Sequence, residues 1–468
     1  MSITILNPFS FHSASNSTPA VCAHVSIKPK LSLFDLTMVV VGLVIGMGIF
    51  RTPVEVAQKA QTPFLFFAAW IVGAVVSLFG ALTFAEIGSR YPVAGGFYKI
   101  FSHCYHPAFA FMVNWMTVIS NAASTAIVAI VGAEYINPFL FPNLDHDVAI
   151  RITTISAISL LFIINLLGIK MSARTLNVLM MIKMGLIVLL ILAVFAAPDP
   201  ATRTTTVPTL SSSDSLKAFW LCFVPVFFTY GGYQQTMNFG GDVPNASRTL
   251  PRGIFFGIAI ILTLYLLANL SYYLVLGFNG LQQSSALASD VAGALLGDYA
   301  SRTVAIIMFF AVMAYVNASI MSNPRVYYAM AEDKVLPAIF KRINERTQVQ
   351  EFAVTVFVAF MIITLFLSSS FSKVLDYVMF FDSIALASAA AAIFILRYRA
   401  KRHGEPSGIY KIPLYPWLPL VYIITYCFVN TSLLVSNREA ALMGFLLFVS
   451  GLPLYWVLKK LVDRPEAS

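Results

Sequence analysis

Residues 42–50 read Gly42-Leu43-Val44-Ile45-Gly46-Met47-Gly48-Ile49-Phe50, inside an apolar run from Leu33 to Ala57. Glycine in a helix interior is about 1 kcal/mol less favourable than alanine, so a Gly-x-Gly pair marks a place where a helix can open. Backbone that leaves the helix inside a bilayer must find partners in protein or in a water-filled cavity. A second such stretch, Pro225 followed by Phe228-Thr229-Tyr230-Gly231-Gly232-Tyr233, lies five apolar segments further on. A single glycine pair is explained by close helix packing. Matching breaks in the first helix of each of two five-helix halves point instead to an inverted repeat with a binding site near the midplane.

Composition agrees with a lipid environment. Of 468 residues 59% are hydrophobic and 11% charged, against about 45–50% and about 25% in soluble domains. A membrane-crossing helix needs about 20 predominantly apolar residues. Ten charge-free runs and two interrupted ones, Leu33 to Ala57 and Leu176 to Ala197, give twelve spans. The tenth is counted over Ser383 to Leu396 with its preceding turn. The expected architecture is all-α, with an inverted repeat over 31–198, a second over 215–400, two further spans over 411–460, and tails at 1–30 and 461–468.

The formal net charge of +9 follows topology, so nucleic acid is not implied. With the N-terminus inside, 21 of the 30 Lys and Arg fall on the cytoplasmic side and 8 on the other, leaving Lys183 in mid-span. Basic residues favour cytoplasmic loops, which puts both termini in the cytoplasm and the chain in the plasma (inner) membrane. Four scattered cysteines without CxxC spacing argue against a disulfide framework or thiolate metal site. His103-Cys104-Tyr105-His106 lacks further ligands and is read as an interfacial cluster. No HExxH, GxSxG or other constellation of ionisable groups suggests an enzyme, and neither cofactor nor metal is expected. The alternatives in order are a carrier of another small amine or organic cation, then an intramembrane enzyme or channel.

At a broken span, free amides and the positive end of a half-helix dipole suit a carboxylate, and free carbonyls suit an ammonium. A zwitterion satisfies both.

Val44 to Phe50, Ala85-Glu86-Ile87-Gly88-Ser89-Arg90-Tyr91-Pro92 with Gly95-Gly96-Phe97-Tyr98, Phe228 to Gly232, Leu250-Pro251-Arg252 and Ser322-Asn323-Pro324-Arg325 occur in one order along residues 31 to 460. Together they resemble the amino acid–polyamine–organocation superfamily, closest to its L-type amino acid transporter branch. The resemblance implies a leucine-transporter-type fold, with helices 1 to 5 and 6 to 10 as inverted repeats and helices 1 and 6 broken. It implies amino acid transport by alternating access. It places the substrate carboxylate on the amides of Gly46, Met47 and Gly48, and the ammonium on the carbonyls of Val44, Phe228 and Gly231. Phe228 takes the place of an aromatic lid. Ile45, Thr229 and Tyr230 complete the two breaks and are expected among the substrate-binding residues, and Gln234 is a candidate contact for the substrate side chain. Met47 stands where the family commonly has Ser, which keeps the amide and loses a hydroxyl.

Lys183 sits in mid-helix among Leu, Ile and Met. An ionisable residue at that depth costs at least about 2.5–3.5 kcal/mol and usually faces the protein interior for a functional reason. The resemblance makes it a built-in replacement for the sodium ion of sodium-coupled relatives, reaching carbonyls near Val44 and polar groups on helix 8 such as Asn317 or Ser319. Burial penalises a charged ammonium, so the residue is equally suited to taking up and releasing a proton. Sodium-independent exchange or proton symport is expected. Helices 3, 6 and 8 carry no acid near their middles, which favours neutral substrates. L-type relatives of eukaryotes bind a single-span glycoprotein through a cysteine between helices 3 and 4. None lies between Asn137 and Arg151, so no obligatory glycoprotein is expected.

Overall fold

The computed structural model describes residues 31–196, 211–284, 286–367, 371–405, 408–436 and 438–462. The tail expected over 1–30 and residues 463–468 lie outside the described residues. Among those described no strand forms, and a lone bridge joins Ala94 to Phe239.

The first span is two helices, α1 (Leu33–Val44) and α2 (Gly48–Ala60). A capping box starts α1: Ser32 Oγ accepts from the Asp35 amide at 3.1 Å, and Asp35 Oδ2 accepts from the Ser32 amide at 3.0 Å, satisfying two donors that a helix start leaves open. There follow α3 (Pro63–Arg90), the short loop helix α4 (Gly96–Cys104), α5 (Pro107–Leu140), α6 (His146–Leu166) and α7 (Ile169–Leu192). The sixth span is α8 (Ser212–Leu221), α9 (Phe223–Tyr230) and a 3-10 segment, Tyr233–Asn238. The second half continues with α10 (Ala246–Gln283), α11 (Leu287–Leu296), α12 (Asp298–Ser322), α13 (Pro324–Glu332), α14 (Glu351–Leu367) and α15 (Phe371–His403). Two last helices, α16 (Trp417–Ser436) and α17 (Arg438–Val462), complete the bundle.

Nine helices among the described residues are long and apolar enough to cross a membrane. With the fragmented sixth span, α14 and α17, the described residues supply twelve helical segments in the order expected for twelve spans. Lipid-facing positions alternate with packed ones at helical period: on α7, Met181 is 62% exposed while Lys183 is fully buried. Helix α1 is buried continuously from Leu36 to Val44 and packed against α7, α10, α12 and the 3-10 segment. That position puts the break after Val44 at the centre of the protein.

Candidate functional site

Helix α1 ends because the Ile45 amide bonds back to Val41 O and the Gly46 amide turns onto Val44 O, each at 2.8 Å. The amides of Met47, Gly48 and Ile49, at the start of α2, then have no backbone acceptor, the usual state of a helix N-terminus without a cap. Across from them α9 ends at Tyr230. Gly231 is extended, and Gly232 takes a left-handed conformation at φ 112°. The carbonyls of Thr229, Tyr230 and Gly231 receive no backbone amide.

Glycine is required where the two breaks meet. A Cβ on Gly48 would stand 2.7 Å from Thr229 Cγ2, and one on Gly232 would stand 2.3 Å from Leu43 O. Between the breaks lies a cavity. Its walls include Val44, Gly46, Met47 and Gly48 from the first span, Phe228, Thr229, Gly231 and Gln234 from the sixth, and Asn121 and Ser124 from α5. Tyr315 of α12 packs its ring against Gly46, 3.3 Å from where a Cβ would be. The cavity is thus lined by Met47 and Gly48, whose amides have no backbone acceptor, and by Thr229 and Gly231, whose carbonyls receive no backbone amide, a donor and acceptor pair complementary to an amino acid's carboxylate and ammonium. Of the carbonyls expected to hold the ammonium, Val44 O already accepts from the Gly46 amide and the Tyr265 hydroxyl, and Phe228 O from the Gly231 amide at 3.3 Å.

Ile45 and Tyr230 stand outside the cavity wall. The Ile45 carbonyl turns away from it and accepts from Lys183 Nζ. Lys183 therefore braces the break from behind, through the residue next to Val44. Val44 O is held by the Tyr265 hydroxyl of α10 at 3.2 Å. Tyr230 points its hydroxyl at Trp70 O, 3.3 Å away, and packs against the Trp70 and Tyr265 rings. Asn317 is not bonded to Lys183: its Oδ1 accepts from Asn165 at 2.8 Å and its Nδ2 donates to Ser172 O at 3.0 Å, tying α12 to α6 and α7. Ser319 contributes a carbonyl that accepts from Asn323 Nδ2 at 2.9 Å. Gln234 lines the cavity, with its Oε1 engaged by the Gly232 amide at 3.0 Å.

Sequence comparison fits this geometry. Residues 31–457 match the family model described as amino acid permease. The chain belongs to the amino acid permease family. It is similar to the cystine/glutamate transporter of Homo sapiens, 27% identical over 95% of this chain and 88% of that protein. Another relative is the serine/threonine exchanger SteT of Bacillus subtilis (strain 168), 27% identical over 93% of this chain and 98% of the exchanger. The large neutral amino acids transporter small subunit 2 of Rattus norvegicus is 24% identical over 92% and 81% of the two chains. The permease is thus a multi-pass membrane transporter of amino acids and not an enzyme.

In the permease, two buried clusters of charge join the elements near Ser32 and the ends of α3, α12 and α15. Asp242 and Arg325, both buried, form a two-pronged ion pair with Nε–Oδ2 2.7 Å and Nη2–Oδ1 3.2 Å, and the guanidinium stacks 4.2 Å from the Phe239 ring centre. The Gly240-Gly241-Asp242 turn after the sixth span therefore anchors that span to α13. Glu86, fully buried, accepts from Arg90 at 2.7 Å, from Arg397 at 2.8 and 2.6 Å, and from the Ile412 amide at 2.7 Å. The motif acid is a structural anchor.

The two histidines of the loop cluster are accounted for locally. His106 Nδ1 caps α5 by accepting from the Ala108 amide at 3.1 Å, and His103 stacks on Tyr91 with ring centres 4.8 Å apart. Burial holds the His103 imidazole below its ordinary pKa, with Arg399 adding to the effect.

Asp382, Gln235, Tyr315 and Tyr426 also line the cavity and were not among the expected residues. Asp382 falls in the turn that precedes the charge-free run at Ser383, and only the full helix, which begins at Phe371, puts it eleven residues inside a span. Nothing local distinguishes Gln235 from Gln234; the 3-10 winding of the segment decides which carbonyl oxygen is left over.

Proposed function

We propose that this permease is a sodium-independent amino acid carrier that works by alternating access, as an exchanger or a proton symporter, with its substrate held between the two helix breaks. The observation that carries the reading is the Lys183 ammonium on the Ile45 carbonyl, a fixed cation braced against the broken first span. Two halves, 31–198 and 215–400, rock about the breaks, and 411–460 supports them. Both termini face the cytoplasm across the plasma membrane, in keeping with the positive bias of the loops joined to them. The loop between α5 and α6 has no cysteine, so the carrier works without a covalently attached glycoprotein.

The preference for neutral substrates rests on helices 3, 6 and 8 alone. The cavity has a further wall in α15, which contributes Met379, Asp382 and Leu386.

Counterflow of labelled amino acids into proteoliposomes tests the function, run in sodium and in choline medium. Equal saturable counterflow in both is expected, and a sodium requirement overturns the assignment of Lys183. Dependence on internal amino acid against dependence on a proton gradient separates exchange from symport.

A further inference from the structure

The substrate cavity contains more hydrogen-bond acceptors than an amino acid backbone can use. Asp382 stands in α15, eleven residues beyond the start of the helix at Phe371, and lines the cavity between the breaks. Among the described residues its carboxylate has no ion pair and no hydrogen bond. An uncompensated carboxylate at bilayer depth is expensive, and ionisable residues there pair with something or serve a pathway.

A second acceptor is fixed by a relay. Ser319 O can only accept, so Asn323 must present Nδ2 to it at 2.9 Å and turn Oδ1 the other way. Asn323 Oδ1 takes Asn121 Nδ2 at 2.7 Å, which leaves Asn121 Oδ1 to take Gln235 Nε2 at 3.3 Å. The orientation of each amide follows from its neighbour. Gln235 Oε1 is the loose end of the chain, buried and without a donor, in a residue that lines the same cavity as Asp382.

We propose that Asp382 is a specificity residue that receives a cationic group on the substrate side chain, with Gln235 Oε1 as a supporting acceptor. The substrate class is then an α-amino acid with an ammonium or guanidinium side chain. This rests on the reading of the helix breaks as the binding site for the carboxylate and α-ammonium. Those breaks match one negative and one positive group, and the unpaired Asp382 matches one further positive group. A neutral side chain leaves the carboxylate uncompensated, and an acidic one faces a like charge.

The test uses purified full-length protein in proteoliposomes and matched competitors: L-lysine against L-norleucine and L-ornithine against L-norvaline, which differ by the terminal amine. In the wild type the amine-bearing member of each pair competes better. A charge-assisted hydrogen bond is worth about tenfold or more in affinity, so Asp382→Asn lowers the lysine-to-norleucine preference by about tenfold or more, while Asp382→Glu keeps its sign. Thermal stabilisation of the wild type by the same four ligands gives the answer even where the variants do not fold.

Norleucine competing as well as lysine in the wild type overturns the proposal and leaves amino acid transport standing. An unchanged preference in Asp382→Asn with a lost pH response assigns the carboxylate to proton movement and also overturns it. No stabilisation or counterflow by any amino acid defeats the underlying reading of the site instead.

Discussion

Replacing Lys183 with Met separates what holds the protein together from what makes it work. The thioether fills nearly the same volume without charge, so the change removes the ammonium and its bond to Ile45 O and opens little space. Two effects oppose each other. A buried carbonyl left without a donor costs about 1–3 kcal/mol, whereas relieving a buried charge of its desolvation returns several kcal/mol. Lys183 is fully buried and its bonding partner is a neutral carbonyl, so the second effect is the larger and the unfolding temperature of Lys183→Met should not fall. The helix break is a different matter, because the lost interaction holds the geometry in which Met47 and Gly48, with their free amides, line the cavity. A hydrogen bond to a charged group is worth about 1.5–3 kcal/mol, which corresponds to about tenfold to a hundredfold in the population of the correctly shaped site. Initial rates of counterflow into proteoliposomes, beside thermal unfolding of the same preparations, check both halves. Wild-type rates in Lys183→Met would refute the bracing role. A large drop in unfolding temperature would refute the energetic ordering.

Gly232→Ala should abolish counterflow, since the Cβ would stand 2.3 Å from Leu43 O in a left-handed residue, a conformation costing about 1–2 kcal/mol before any clash; Gly185→Ala, with nothing within 4 Å, is the control expected to transport normally, and equal rates in the two variants would contradict the close approach. Asp242→Asn leaves the Arg325 guanidinium buried without its carboxylate, which should cost about 3–5 kcal/mol. The double variant with Arg325→Gln should recover part of that loss in thermal unfolding, and strict additivity of the two changes would count against the pair. For His103 the folded imidazole is held below its ordinary pKa by burial, so the folded protein disfavours the charged form. Its stabilising contribution is present above the unfolded value of about 6.5 and is lost as pH falls from there through the folded value. The unfolding temperature of the wild type should therefore decline over that acid range more steeply than that of His103→Gln, and superimposable profiles would remove His103 from the account.

Much of this permease could be read along the chain because the bilayer imposes strong local rules. Apolar length gave the spans, and glycine placement gave the breaks at Gly46 to Gly48 and at Gly231 to Gly232. The isolated charge drew attention to Lys183. Each signal is carried by neighbouring residues, and lipid leaves few alternatives to a helix whose polar groups are internally paired. What the chain could not reveal depends on elements far apart in sequence. Whether Lys183 reaches Val44 or Ile45 depends on the rotation of α7 against α1. The partner of Arg325 is decided by where the turn after the sixth span lands. Asp382 looks like a loop acid until the full length of α15 is known, and only the packing of α15 beside the broken spans makes it part of the cavity. Sequence alone determined a twelve-span carrier with two matched breaks, because periodicity and hydropathy are local. The tertiary structure decided which polar groups face one another across the cavity, because hydrogen bonding and charge compensation are properties of pairs.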